Sequence, residues 1–275
     1  MKKLVLRSIG IYVNALSFFS KNYAGEKALA IFTKPRKGRI NEKDHEFLSK
    51  AYQEEISFKD YEIMTYRWPG KGDTVLLAHG WESNSARWQF LIDQLVDLDF
   101  NVIALDAPSH GKSSGKAFNA LLYSDFINVV SDKFKPEIII GHSVGGMSSI
   151  FSVSKKERNS LRKMITLGAP SEFHTVLERY ADMLGYNVSV RESMEKIVVK
   201  RFGHYPTHFS GAKFSSEIKA KGLIIHDVKD AIIPYSDALL YKSHFNNAQL
   251  ISTEGFGHGL KQPKVSEHII EFIKN

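Results

Sequence analysis

Short apolar runs alternate with stretches of helical period along most of this chain. Residues 74–78, 101–105, 137–140, 163–167, 222–226 and 249–253 are four or five residues each and rich in aliphatic and β-branched types. Runs that short, bounded by turn residues and lacking a polar face, read as strands buried on both sides of a sheet. Between them, residues 85–98, 118–134, 144–153, 235–245 and 265–274 repeat apolar positions at helical spacing, as Trp88, Leu91, Leu95 and Leu98 do. Residues 61–68, closed by Pro69-Gly70, read as an edge strand, and 41–53 as a short charged helix. The alternation predicts an α/β fold with a mostly parallel central sheet covered by helices on both faces. Sites in such sheets lie at the carboxyl ends of the strands.

One interval breaks the rhythm. Residues 171–215 are helical in pattern, rich in Phe, Tyr and His, and sit between two strands. They read as a helical cap insertion over the carboxyl edge, not as a second domain. The expected division is therefore an N-terminal arm, residues 1–55, and a main domain, residues 56–275, that carries the insertion. No internal repeat or low-complexity segment appears.

Charge sharpens this division. The net charge of +7 belongs to residues 1–50, which hold eleven Lys/Arg against four Asp/Glu; the rest of the chain holds 26 of each. A folded body of balanced charge offers no basic face for nucleic acid, so no nucleic-acid partner is expected. Within the arm, Lys2-Lys3-Leu4-Val5-Leu6-Arg7 precedes an apolar stretch, as in a short signal peptide. Arg7 and Asn14 interrupt that stretch, while Val5, Ile9, Val13, Leu16 and Tyr23 recur at helical spacing. The favoured reading is a retained amphipathic helix that packs on the body or touches an anionic membrane surface through its basic flank. No apolar run reaches the length of a spanning helix. The chain has no cysteine, which excludes disulfides, thiolate metal sites and a thiol nucleophile and fits a reducing, cytoplasmic setting.

The candidate chemistry begins at Ile138-Ile139-Ile140-Gly141-His142-Ser143-Val144-Gly145-Gly146. A run of β-formers ends in G-x-S-x-G and a helical pattern follows. A serine lifted on such a turn exposes its hydroxyl above the sheet, and the helix that starts behind it points free N–H groups at any anion formed there. Three further segments follow strands on the same edge. In His79-Gly80-Trp81, the Trp81 amide can join the Val144 amide as an oxyanion donor, or Trp81 can simply pack. In His226-Asp227-Val228-Lys229-Asp230, Asp230 lies deeper in the loop and is the preferred carboxylate; Asp227 reads as a turn cap, and Glu172 is a remote third candidate. In Gly255-Phe256-Gly257-His258, a glycine-flanked loop presents the general base. His244 and His268 fall inside predicted helices, His142 fills the turn, and the other histidines read as turn or surface residues.

On these residues the chain resembles the α/β-hydrolase superfamily. The resemblance rests on His79-Gly80-Trp81, on the run from Asp106 to Ser113, on Gly141–Gly146, on Asp230 and on Gly257-His258, and covers roughly residues 60–275. It implies Ser143 as nucleophile, Asp230 as acid, His258 as base, Trp81 and Val144 as oxyanion-hole donors, and no cofactor. Ser109 stands where many members have Gly. The implied activity is cleavage of a carboxylic ester or thioester of a small acyl substrate through an acyl-enzyme, an EC 3.1 reaction. The alternatives are C–C bond hydrolysis or lysis with the same triad, and a non-catalytic binding protein on the same scaffold. Gly111-Lys112-Ser113 is not a phosphate loop, because Asp106 occupies the position its first glycine needs. In His204-x-x-x-His208, Pro206 breaks the helix that would align two zinc ligands, so no metal is expected.

Overall fold

The computed structural model describes residues 2–275, with side chains from Leu4 onward. In chain order the elements are α1 (Lys2–Phe19), α2 (Lys21–Thr33), α3 (Glu42–Leu48), β1 (Tyr52–Phe58), β2 (Tyr61–Trp68), β3 (Thr74–Ala78), α4 (Gln89–Asp97), β4 (Asn101–Leu105), α5 (Ala120–Phe134), β5 (Ile138–His142) and α6 (Val144–Lys155). There follow β6 (Lys163–Leu167), α7 (Phe173–Leu184), α8 (Val188–Phe202), α9 (Gly211–Ser215), β7 (Lys221–Asp227), α10 (Tyr235–His244), β8 (Ala248–Thr253) and α11 (Pro263–Lys274). The strands form one sheet in the order β1-β2-β4-β3-β5-β6-β7-β8, parallel from β4 to β8 and antiparallel at β1 and β2.

Two apolar layers follow from the period of two along each strand. Leu76, Ala78, Ile103, Ile139 and Ile224 face one side, where Phe126 of α5, Ile150 of α6 and Tyr241 of α10 cover them. Val75, Leu77, Val102, Ile140 and Leu223 face the other, under Leu91 and Ile92 of α4 and Ile269 and Ile273 of α11. Every strand from β3 to β7 is thus wrapped on both faces, which is why none shows a polar alternation.

The predicted edge strand is not at the edge. β2 is the second strand, and β1 covers it through a hairpin closed at Lys59-Asp60, with Phe58 paired to Tyr61. The charged helix read over 41–53 accordingly ends at Leu48, and Tyr52 onward is strand. The first turn of the segment predicted as helix 85–98 is a 3₁₀ turn, Ser85–Trp88, before α4 begins.

The sheet and its helices make up one compact unit, Pro35–Ser171 with Gly211–Asn275; residues up to Lys34 and Glu172–Ser210 make up the other. In that second unit α2 lies along α8, with Ala24, Ala28 and Leu29 buried on one helix and Val190, Met194, Ile197 and Val198 on the other. Phe32 meets Tyr180 and Phe173 at ring separations of 4.8 and 6.4 Å, and Phe209 meets Phe173 and Phe202 at 6.2 Å. The aromatic residues of the insertion therefore supply an interior shared with the arm.

Candidate active site

The turn after β5 carries the strain that its sequence implies. Ser143 has φ +53° and ψ −128°, a region that side chains rarely enter, and its own amide donates to Leu167 O at 2.8 Å. α6 starts at the next residue and must pass close to β3: a Cβ on Gly145 would lie 2.4 Å from the carbonyl oxygens of both Ala78 and His79. Only glycine permits that approach, and the approach places the first turn of α6 beside the end of β3.

Three side chains from three loops converge here. His258 Nε2 lies 3.0 Å from Ser143 Oγ. His258 Nδ1 donates to Asp230 Oδ2 at 2.7 Å. Asp230 Oδ1 accepts the amides of Ile232 and Ile233 at 2.8 and 3.0 Å, and His226 Nε2 lies 3.4 Å from Oδ2. The Asp230 side chain is fully buried, and burial alone would raise its pKa; the bonds from His226, His258 and the two amides outweigh that and hold the carboxyl below the usual carboxylate range. It is therefore an anion at neutral pH. The serine is mostly enclosed, at 8 % exposure, while the His258 side chain stays 20 % exposed.

The other acids are engaged elsewhere. Asp227 Oδ2 accepts Phe256 N at 2.7 Å and Thr253 Oγ1 at 3.0 Å, and Oδ1 accepts Lys229 N at 3.0 Å. It caps the turn after β7 and anchors the start of the loop that bears His258. Glu172 bonds Ser210 Oγ at 2.5 Å within the helical unit.

The loop holding Trp81 is built against the same serine. A Cβ on Gly80 would come within 3.0 Å of Ser143 Cβ, so the residue after it lies beside the turn. The Val144 amide, at the first position of α6, has no partner inside its own helix. The Trp81 ring packs edge-on against His110 and Phe118 at 5.3 Å. Buried groups fix this loop from below. His79 Nδ1 donates to Gly80 O at 2.8 Å while its Nε2 accepts Ala107 N at 2.9 Å, an assignment that requires the neutral ring; burial lowers its pKa accordingly. His110 Nε2 accepts Glu82 N at 3.0 Å. Asp106 accepts Ser85 N, Ser85 Oγ, Tyr66 OH and Lys112 N at 2.7–3.0 Å; its complete burial raises its pKa against the pull of those bonds.

Four histidines are buried, His79, His110, His142 and His226; His142 fills the turn as its sequence suggests, and none of the four is a surface residue. His142 Nε2 donates to His258 O at 2.8 Å, and Arg87 Nη2 donates to Gly259 O at 2.9 Å. Burial lowers the His142 pKa well below its ordinary value, so the ring is neutral and holds the base-bearing loop by a single N–H. His226 donates to Ile233 O at 2.9 Å and so braces the Asp230 loop. No motif marks these roles; the only available signal was the density of histidine next to the strand ends. His204 and His208 stack at 3.8 Å, and among the described residues no group of three or more His, Cys, Asp or Glu side chains is assembled for a metal.

A family model described as the alpha/beta hydrolase fold matches residues 73–189. Over 103 residues the chain is 35% identical to the dihydrolipoyllysine-residue acetyltransferase component of the acetoin cleaving system of Cupriavidus necator, covering 35% of this chain and 26% of that protein. Over 103 residues it is likewise 35% identical to the pimeloyl-(acyl-carrier protein) methyl ester esterase of Pectobacterium carotovorum, covering 36% of this chain and 38% of that one. The match thus spans between a quarter and two-fifths of the length of these curated relatives. The alpha/beta hydrolase domain-containing protein 10 from mouse superposes with a TM-score of 0.66 at 15% identity, covering 82% of this chain and 97% of its own.

Proposed function

We propose that this chain, which belongs to the α/β-hydrolase superfamily, is a serine hydrolase that cleaves a carboxylic ester or thioester through an acyl-enzyme on Ser143. The observation that carries the reading is the continuous line from Ser143 Oγ through His258 to the buried Asp230 carboxylate, with both hydrogen bonds at 3.0 Å or less. The esterase activity named for one relative agrees with it.

Each step uses an atom already described. His258 Nε2 takes the Ser143 proton as Oγ attacks the acyl carbon, and Asp230 stabilises the imidazolium that results. The carbonyl electron pair moves to oxygen, where the Val144 and Trp81 amides receive it; each such donor contributes about 3 kcal/mol to the transition state. The tetrahedral species expels alcohol or thiol, which takes the proton back from His258. Water then enters, His258 removes its proton, and hydroxide attack frees the acid and regenerates Ser143.

The test is turnover of p-nitrophenyl acyl esters and acyl-CoA thioesters of graded length, with fluorophosphonate labelling read by mass spectrometry. Wild type is expected to turn over at least one series and to label at Ser143. Ser143→Ala is expected to do neither while melting cooperatively. Undiminished turnover by Ser143→Ala, or a label on another residue, removes the proposal.

A further inference from the structure

Helix α1 has two apolar faces, and only one of them is packed. The packed face is Leu6, Ile9, Gly10, Val13, Leu16 and Ser17, at spacings of three and four. Its rotation is fixed by contacts with α7 and α8 in the same unit. A Cβ on Gly10 would lie 1.7 Å from Leu184 O, so the two backbones touch there. Asn14 Nδ2 donates to Gly185 O at 2.8 Å, Asn14 Oδ1 accepts Asn187 N at 2.9 Å, and Asn187 Nδ2 donates to Ser17 Oγ at 3.1 Å. Asn14, at the rim of the packed face, and Ser17, within it, thus hold the α7–α8 connection.

That anchoring turns Leu4, Val5, Ile11, Tyr12, Phe18 and Phe19 outward, where they are between 50 and 91% exposed. The pairs 4/5, 11/12 and 18/19 recur every seven residues, about two turns, so six large side chains form a single stripe. Only Ser8 and Ala15 lie among them on that side. A stripe of this size on a folded unit marks a surface with a partner. The charges specify which partner. Every charged residue of α1 is basic, namely Lys2, Lys3 and Arg7, and Lys21 opens the next helix. Among the described residues no helix is long and apolar enough to cross a membrane. A helix with an exposed apolar stripe and charges of basic sign alone matches the interface of an anionic bilayer. A second copy of the chain would instead bring like charges together.

We propose that α1 docks this protein on anionic phospholipid membranes, with Leu4, Val5, Ile11, Tyr12, Phe18 and Phe19 entering the acyl region. The proposal does not depend on the hydrolase reading. It is tested by co-sedimentation of the full chain with vesicles of phosphatidylcholine and phosphatidylglycerol, against vesicles of phosphatidylcholine alone. Wild type and Ser143→Ala are expected to bind the anionic vesicles equally, more weakly at high salt, and to bind the neutral ones poorly. The exposed double variant Ile11→Glu/Phe18→Glu is expected to partition at least about tenfold less, with unchanged circular dichroism and unchanged turnover of a soluble ester. Three results overturn the proposal: no binding to anionic vesicles, equal binding by the double variant, or a concentration-dependent dimer that the double variant dissolves.

Discussion

Asp230→Asn isolates the charge of the buried carboxylate, because it replaces one oxygen by an amide of nearly the same size. Oδ1 accepts two loop amides at 2.8 and 3.0 Å, so the asparagine oxygen stays there and its NH₂ must face His258 Nδ1. Two donors cannot share the 2.7 Å contact that the carboxylate makes with this nitrogen. The imidazole escapes by moving its proton to Nε2, which then presents N–H to Ser143 Oγ and can no longer accept from it. The variant also loses the anion that balances the imidazolium. Together these are expected to reduce kcat by about 10⁴-fold, or ~5.5 kcal/mol. Stability should shift in a pH-dependent way. A carboxyl held below its unfolded value contributes stability above that value, about 3.9, and loses it as the pH falls through the folded value. The melting difference between wild type and Asp230→Asn should therefore be full at neutral pH and narrow in acid. The assay is steady-state turnover of a p-nitrophenyl ester beside thermal melting at neutral and acid pH. Retention of activity within tenfold of wild type, with the fold intact, refutes the role given to Asp230.

Two further outcomes follow from neighbouring geometry. Asp227→Asn removes the charge from three hydrogen bonds at the turn, so it should melt earlier by about 1–3 kcal/mol; its soluble-ester kcat should stay within a few-fold of wild type, the reverse of Asp230→Asn. Ser143→Gly and Ser143→Ala both lack the hydroxyl, but only glycine relaxes at φ +53°; the glycine variant should be the more stable by ~1 kcal/mol in denaturant melts, and equal stability would show that the turn is unstrained.

The strands from β3 to β7 were legible because each must be apolar enough to sit in a sheet covered on both faces. β1 was not. Its Gln53, Glu54 and Glu55 face solvent, and its hairpin turns at Lys59-Asp60 without the Asn-Gly or Asp-Gly signal that such a turn usually shows. Missing it moved β2 to the edge. At the site, glycines on both sides of Ser143 and before His258 announce chain bends that only a loop or turn needs. Asp227 and Asp230, three residues apart, are separable only in space, where one faces amides of its own turn and the other faces an imidazole. The bracing roles of His79, His110, His142 and His226 were not legible, because a histidine that donates one N–H to a carbonyl has no spacing rule. Asn14 shows the same limit: it interrupts an apolar run in sequence, yet it bonds residues more than 170 positions away.

The helical unit is assembled from two stretches that leave the ribosome far apart in time. α2 ends near residue 33, and the helix that buries its Ala24, Ala28 and Leu29 face begins at Val188. At a synthesis rate of about 5–20 residues per second, α2 waits on the order of 10–30 s for its partner. During that interval the side of α1 that packs on α7 and α8 stays uncovered beside its exposed stripe, so apolar surface persists on the growing polypeptide well after its first helices can form.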